Sequence, residues 1–156
     1  MSNFTEGLKR AADANAQAIQ AQNEIRLHNA RVIRASASEF WSQTEQIIRN
    51  ECDEMRREFP NDRLRNPFVN NYAGFTLNTT AMPRKILAAR LDVDGLCVRT
   101  DEGVKHSLEH MPMLTPTGPI TITVGPEEQL QFMFRGRKYD APENLAHALI
   151  SYVCEL

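Results

Sequence analysis

The sequence predicts an α+β fold, in which one domain of ordinary size carries an N-terminal helix longer than the domain itself. Neither proline nor glycine occurs between Leu8 and Phe59, turn residues separate short alternating segments after residue 75, and the chain ends in an amphipathic stretch. The chain has 156 residues, 42% of them hydrophobic and 24% charged, which suits a single core.

The N-terminal stretch is rich in Ala, Gln, Glu and Arg, which are strong helix formers. A single helix over residues 8–59 would be about 78 Å long at ~1.5 Å per residue, whereas a small domain is about 30 Å across. We therefore expect part of this helix to leave the body or to fold back on it. Because Ser36-Ala37-Ser38-Glu39 matches a capping box, one continuous helix and two helices broken near residue 36 are both open alternatives.

The apolar pattern divides the chain into residues 1–35 and a domain over residues 36–156. Residues 37–59 carry large apolar side chains at helical spacing, as expected for a helix packed on a sheet. Residues 1–35 carry instead a narrow stripe, made mostly of alanine and spaced alternately by three and four residues. We call this set the alanine stripe, and its members are Ala11, Ala14, Ala18, Ala21, Ile25, His28 and Val32.

The alanine stripe predicts that residues 1–35 protrude and oligomerise. Small side chains let two helices approach closely, so we expect a coiled-coil homodimer with the stripe as its interface. A helix of another protein is an alternative partner. If the chain instead turns back near residue 36, the stripe packs against its own chain and the protein is a monomer.

The rest of the domain is predicted as a loop over 60–74, an antiparallel meander sheet of five to six strands over 75–139, and a helix over 141–155 packed on the sheet. Asp94-Gly95 is a strong hairpin signal, and residues 101–103 indicate a second turn. Apolar residues alternate with polar ones, so one face of the sheet should meet both helices. In the first strands of the sheet we place on that face Ala89, Leu91, Val93, Val98, Val104 and His106.

Cations cluster in the predicted hairpin strands. If the hairpin closes with a two-residue turn, Arg90 lies opposite Arg99, and a further turn before Lys105 would place that lysine opposite Arg99 as well. Like charges directly opposed destabilise a sheet, so this row predicts the binding of an anion or of an acidic partner. Compensation within the chain, by Asp92 and Glu109 on the same face, is the alternative.

The segment from His106 to His110 matches H-x-x-E-H, a pattern in which two histidines on adjacent helical turns bind zinc. In a strand these two histidines would lie about 13 Å apart, and the local alternation indicates a strand. We therefore predict no metal site, and His106, Glu109 and His110 would be ligands only in a helix. Catalytic cysteine patterns and glycine-rich phosphate loops are also lacking, so we expect neither a cofactor nor an enzyme.

Charge and cysteine usage narrow the class of protein. Eighteen Lys and Arg against twenty Asp and Glu give a net charge of −2, which disfavours nucleic acid as a partner. No apolar run is long enough to cross a membrane, and the first residues lack the pattern of a signal peptide. Three cysteines without a CxxC pair fit a reducing compartment, so we expect a cytoplasmic protein.

These features together predict a non-catalytic interaction or adaptor module that self-associates or docks a partner through its N-terminal helix. The row of cations adds an anion-binding or acidic-partner-binding face of the sheet. The alternative is a small ligand-binding domain or an enzyme whose site forms only in the fold.

Overall fold

The structure, a computed structural model, describes residues 2–60, 66–80, 82–107 and 112–154. A long N-terminal helix, an antiparallel curled sheet and a C-terminal helix make up the fold, which confirms the predicted α+β class. The helices are α1, Asn3–Glu58, and α2, Pro142–Cys154. The strands are β1 Pro67–Asn70, β2 Phe75–Thr79, β3 Arg84–Leu91, β4 Cys97–Lys105, β5 Thr115–Pro116, β6 Ile120–Val124, β7 Leu130–Phe134 and β8 Arg137–Tyr139.

The sheet has more strands than the five to six predicted. Its order is β1-β2-β3-β4-β6-β7-β8, with the short β5 paired to β4. β1 lies inside the predicted loop 60–74 and forms an edge of the sheet, where the missing N–H of Pro67 is tolerated. β8 is the opposite edge, and it follows directly on a turn at Arg135-Gly136. β1 and β8 are short edge strands and β5 has only two residues, so the patterns of these three strands are too brief to show alternation.

Helix α1 is unbroken over 56 residues, or about 84 Å at ~1.5 Å per residue. The Ser2 hydroxyl caps its start by accepting a hydrogen bond from the Thr5 N–H, and Pro60 follows its end. The capping-box pattern at Ser36 does not start a second helix. Ala37 is fully buried against the domain, so this turn is held by packing as part of one continuous helix.

The core lies between one face of the sheet and the two helices. The second half of α1 packs against α2, β1, β6 and β7. Phe40 of α1 stacks on Phe132 at 4.1 Å between ring centroids, and Trp41 meets Phe75 edge to face at 6.2 Å. These contacts anchor α1 from residue 33 onward to the body.

Three residues predicted on the core face are exposed. Val93 lies in the five-residue loop 92–96, which replaces the predicted two-residue turn, and only Gly95 in it has a positive φ, 74°. Val104 and His106 lie at and beyond the end of β4, past the cover that the helices provide. The predicted alternation therefore holds in the middle of the sheet and fails at its ends.

The face of β2 to β4 that points away from the two helices is partly covered as well. Thr76, Asn78, Ile86 and Ala88 are buried there, and the segment at residues 112–114 lies over Gly103. A Cβ at Gly103 would lie 2.8 Å from the Leu114 side chain and 3.3 Å from the Met113 carbonyl, so a larger residue requires this segment to shift. The predicted turn at residues 101–103 is wrong, because Gly103 serves this close approach inside β4 and is paired with Ile86.

Candidate functional site

The first half of α1 extends away from the body, and every described side chain from residue 2 to residue 28 is exposed. We call residues 3–28 the helical arm, which is about 39 Å long at ~1.5 Å per residue. Two polar contacts hold its base. His28 Nε2 lies 2.7 Å from Glu128 Oε1 in the β6–β7 loop, and Arg34 Nε donates to the Asp94 carbonyl at 3.3 Å in the β3–β4 loop.

The structure places the alanine stripe in two environments. From Ala11 to Ile25 its members lie on the exposed arm. Val32 instead is half-buried and packs against the core of its own domain, and His28 contacts Glu128. These two residues therefore contribute to the attachment of the arm as well as to the stripe.

Large apolar side chains accompany the stripe. Five of them on the arm are between 52% and 76% exposed, namely Phe4, Leu8, Ile19, Ile25 and Leu27. At ~100° per residue, the centre of the stripe lies roughly a third of a turn away from the line through Ile33 and Ala37 that faces the body. The stripe is therefore open to a second helix along the whole arm.

An apolar groove continues this surface at the base of the arm. It has a volume of about 450 Å³, and Ile25 and Ile33 of α1 line it together with Leu96 of the β3–β4 loop and Ile122 of β6. Ile25 belongs both to the groove and to the stripe. A helix lying along the stripe would therefore reach the body at this groove.

The predicted row of cations forms only in part. Arg90 lies opposite Arg99, as predicted, but Lys105 pairs with Arg84 and is buried. Along β4, Lys105 is about 20 Å from Arg99 at ~3.3 Å per residue, because the chain does not turn between them. The three cations consequently do not share one row.

Arg99 also has an internal partner. Its guanidinium donates to both carboxylate oxygens of Asp92, at 2.8 and 3.3 Å. The hydrogen bond from Arg99 is the main reason why the pKa of Asp92 is lowered. Compensation by Asp92, one of the two carboxylates considered from the sequence, is therefore observed, whereas Glu109 lies outside the described residues.

The H-x-x-E-H segment is described only at its start. His106 is exposed after the end of β4, and Glu109 and His110 lie outside the described residues. Within the described ranges, no group of three or more His, Cys, Asp and Glu side chains could hold a metal ion.

The cysteines are poor nucleophiles. Burial is the largest cause that raises the pKa of Cys52 to about 12 and that of Cys154 to about 11. Burial first, and then the charge of Asp92, also raises the pKa of Cys97. All three thiols stay protonated at neutral pH, so they pack in the domain without offering a thiolate.

A second surface, which the sequence did not reveal, is an open cleft of about 800 Å³ between α2 and the β7–β8 hairpin. We call it the basic cleft. One face of α2 forms its floor, because its residues there are spaced by three and four positions. Its lining residues are Lys85, Phe134, Arg135, Arg137, Tyr139, Asn144, His147, Ala148, Ser151 and Tyr152.

Tyr152 is at the centre of the basic cleft. The Lys85 ammonium lies 4.3 Å from its ring centroid, the Arg135 guanidinium 4.5 Å, and Phe134 packs edge to face at 5.5 Å. The phenol donates a hydrogen bond to the carboxylate of Glu102. Burial, followed by this hydrogen bond, raises the pKa of Tyr152, so the phenol remains protonated at neutral pH and acts as a donor.

Arg135 reaches this position from a strained backbone. Its φ is 51° and that of Gly136 is 81°, so both central residues of the β7–β8 turn are left-handed. Glycine adopts this conformation readily, whereas another L-residue loses roughly 1–2 kcal/mol. Asparagine is the usual residue at the first position of such a turn.

The basic cleft was missed because its residues come from three separate segments. In the sequence, the pattern around Arg135 and Arg137 indicates only the end of a hairpin, and the pattern around Tyr152 indicates the apolar face of a helix. The local signal that could have indicated this site is an arginine before a glycine, Arg135-Gly136, in a tight turn. The convergence of β3, the β7–β8 hairpin and α2 is a property of the fold.

No protein-family model, curated protein or solved structure matches this chain. Neither helix of the described chain combines the length and the apolar character that crossing a lipid bilayer requires.

Proposed function

We propose that this protein is a non-catalytic interaction module that forms a homodimer through its helical arm. The observation that carries the proposal is the arm itself, about 39 Å of helix whose side chains are all exposed and which includes five large apolar residues. Apolar surface left in water costs about 25 cal/mol for each Å². Most of the stability of a helix in a protein comes from packing its apolar face against a partner. Pairing with a second helix removes this cost.

A second copy of the arm is the partner that its charges favour. The arm carries three acidic residues, Glu6, Asp13 and Glu24, and three basic residues, Lys9, Arg10 and Arg26. Its net charge is therefore zero, and residues 14–23 carry no charge at all. Two arms do not repel each other, and the uncharged middle lets the alanine stripes of both copies meet.

The contact area also suits a dimer. A helix ~39 Å long and ~10 Å across has a lateral surface of roughly 1,200 Å². Covering half of this surface on each arm buries roughly 1,200 Å² in total, the lower end of stable interfaces. The groove between Ile33 and Ile122 adds apolar surface at the base of the arm. The three cysteines, none of which the structure places in a disulfide, are consistent with our expectation that the dimer works in the cytoplasm.

The test is the mass of the full chain in solution, measured by sedimentation equilibrium at micromolar concentration. We expect a dimer for the full chain and a monomer for Ala18→Glu, which places a charge in the middle of the stripe. Ala16→Glu is the matched control, because residue 16 lies on the opposite side of the same helix. A monomeric full chain, or equal behaviour of the two variants, would overturn the proposal.

A further inference from the structure

The basic cleft has a chemistry that dimerisation through the arm does not use. We propose that it binds the phosphate groups of a nucleotide-sized ligand and packs the ligand's aromatic ring against its own rings. This inference does not depend on the proposed dimer, because the basic cleft lies on α2 and the β7–β8 hairpin, away from the arm.

Charge is the first argument. Arg135, Arg137 and Lys85 line the basic cleft, and none of its described lining residues is a carboxylate. Lys85 and Arg135 lie over the same Tyr152 ring, so their charges are within about 9 Å of each other and repel. The Glu102 carboxylate lies at the phenol end of Tyr152 and is not part of the lining. Arg135 and Arg137 supply the positive charge that the two phosphates of a diphosphate would match.

Geometry favours phosphate further. An arginine guanidinium presents several N–H donors in one plane, which suits bidentate binding of phosphate oxygens. The Ser151 hydroxyl and the Asn144 amide on the floor of the cleft add neutral donors. His147 stands at the side near α1, where its Nε2 lies 3.6 Å from Glu51. The cations and neutral donors thus line the same cleft.

The volume of the basic cleft and its aromatic lining indicate a ligand larger than a bare phosphate. The basic cleft, at about 800 Å³, falls in the range of roughly 300–1,000 Å³ that is typical of small-molecule sites. Phe134 and Tyr139 contribute aromatic rings to its lining, beside the Tyr152 ring that Lys85 and Arg135 already cover. Rings of this kind stack with nucleobases and tolerate different bases. Phosphate donors and rings in one cleft therefore point to a nucleotide.

The strained backbone of Arg135 is an independent observation. Asparagine would relieve the strain at this turn position, but it would not reach over Tyr152. Residues held in unfavourable backbone conformations tend to occur where function requires a particular side chain. The side chain that the strain positions here is a cation in the basic cleft, 4.5 Å from the Tyr152 ring.

The experiment is calorimetric titration of the full chain with ADP, pyrophosphate and adenosine. We expect saturable binding of one ADP per chain, at least tenfold tighter than that of pyrophosphate or adenosine. Arg135→Asn should weaken ADP binding at least tenfold and at the same time raise the melting temperature of the free protein, because asparagine tolerates the positive φ. If Arg135 had only a structural role, its replacement would not weaken ADP binding while raising the melting temperature.

Lys138→Asn is the matched control. It removes the same charge from the same hairpin, but residue 138 lies between Arg137 and Tyr139 in β8 and points to the opposite face of the sheet. We expect its ADP affinity to stay within threefold of that of the unaltered chain. ADP affinity should also be unchanged in Ala18→Glu, which separates this test from the test of dimerisation.

Several results would overturn the inference. They are the absence of saturable ADP binding, pyrophosphate binding as tight as that of ADP, and equal losses in Arg135→Asn and Lys138→Asn. The inference would also be wrong if a twelve-residue oligothymidylate competed with ADP and bound a hundredfold more tightly. The ligand would then be a single-stranded nucleic acid.

Discussion

Gly103 lies where two layers of chain meet, with the segment at residues 112–114 lying over β4. We predict that Gly103→Ala destabilises the protein by roughly 1–3 kcal/mol, because the added methyl group meets the Leu114 side chain at 2.8 Å and the Met113 carbonyl at 3.3 Å. Urea denaturation measures this change. Gly118→Ala is the control, since nothing lies within 4 Å of its added carbon, and it should stay within about 0.5 kcal/mol. Equal effects of the two substitutions would contradict the close approach at Gly103.

Burial of Cys52 makes stability depend on alkaline pH. The pKa of its thiol is about 12 in the folded protein against an ordinary value of 9.0, so the unfolded chain loses this proton first as the pH rises. The contribution to the free energy of unfolding is complete below pH 9 and declines as the pH rises from 9 towards 12. Cys154 adds a smaller effect of the same sign.

We predict that Cys52→Ala flattens this decline, although it lowers stability near neutral pH by roughly 1 kcal/mol through lost packing. Urea denaturation at pH 7.5 and pH 10.5 provides the comparison. Cys97→Ala serves as the control, because that thiol is less buried and should leave most of the decline in place. If the Cys52→Ala protein loses as much stability between the two pH values as the unaltered chain, burial of Cys52 is not the cause.

At the scale of elements, α1 is attached to the body from residue 28 onward, which is earlier than the predicted boundary at residue 35. We predict that deletion of residues 1–27 gives a folded monomer whose stability matches that of the monomeric Ala18→Glu variant, because all side chains described in this segment, residues 2–27, are exposed. Deletion of residues 1–35 removes the buried Ile33 and the Arg34 contact as well. We expect it to cost roughly 1.5–3 kcal/mol more.

Thermal and urea denaturation of the two truncated chains test this difference. A shorter deletion that destabilises the body as strongly as the longer one would show that the arm contributes to the fold of the domain. Far-ultraviolet circular dichroism should show helix loss in proportion to the residues removed in both cases.

Elements with long patterns were predictable from the sequence. The helical content of α1 and α2 and the register that places Arg90 opposite Arg99 follow from periodicity and from the Asp94-Gly95 signal. The structure confirms both, although a five-residue loop replaces the predicted two-residue turn. β1 and β8 were not predictable, because four and three residues next to proline or a tight turn carry too little pattern. The predicted turn before Lys105 failed for another reason, since Gly103 indicates a close approach as well as a turn.

The two candidate surfaces differ in the same way. The arm could be predicted because the residues of its alanine stripe lie in one continuous segment of the sequence and helix geometry is regular. The basic cleft could not, because Lys85, Arg135 and Tyr152 are distant in sequence and meet only through sheet order and helix packing. A surface formed by one element is visible in a sequence, whereas a surface formed by three elements requires the fold.

At the scale of the whole molecule, a single helix of about 84 Å joins the body to its proposed interface. A spherical domain of 156 residues would have a radius of gyration of roughly 15 Å, which is much shorter than the helix. The molecule is therefore a rod with a domain at one end. The core holds only the second half of that rod, through contacts such as Phe40 on Phe132.

The unbroken course of α1 has a consequence for binding strength. If two copies pair through their arms and each basic cleft takes a phosphate, the dimer is bivalent, and the distance between its two sites is a set length rather than the broad distribution that a flexible linker would give. A ligand carrying two nucleotides at that spacing would meet the second site at a high effective concentration after binding the first. A ligand with any other spacing would gain nothing, so the rigid helix would select ligands by length.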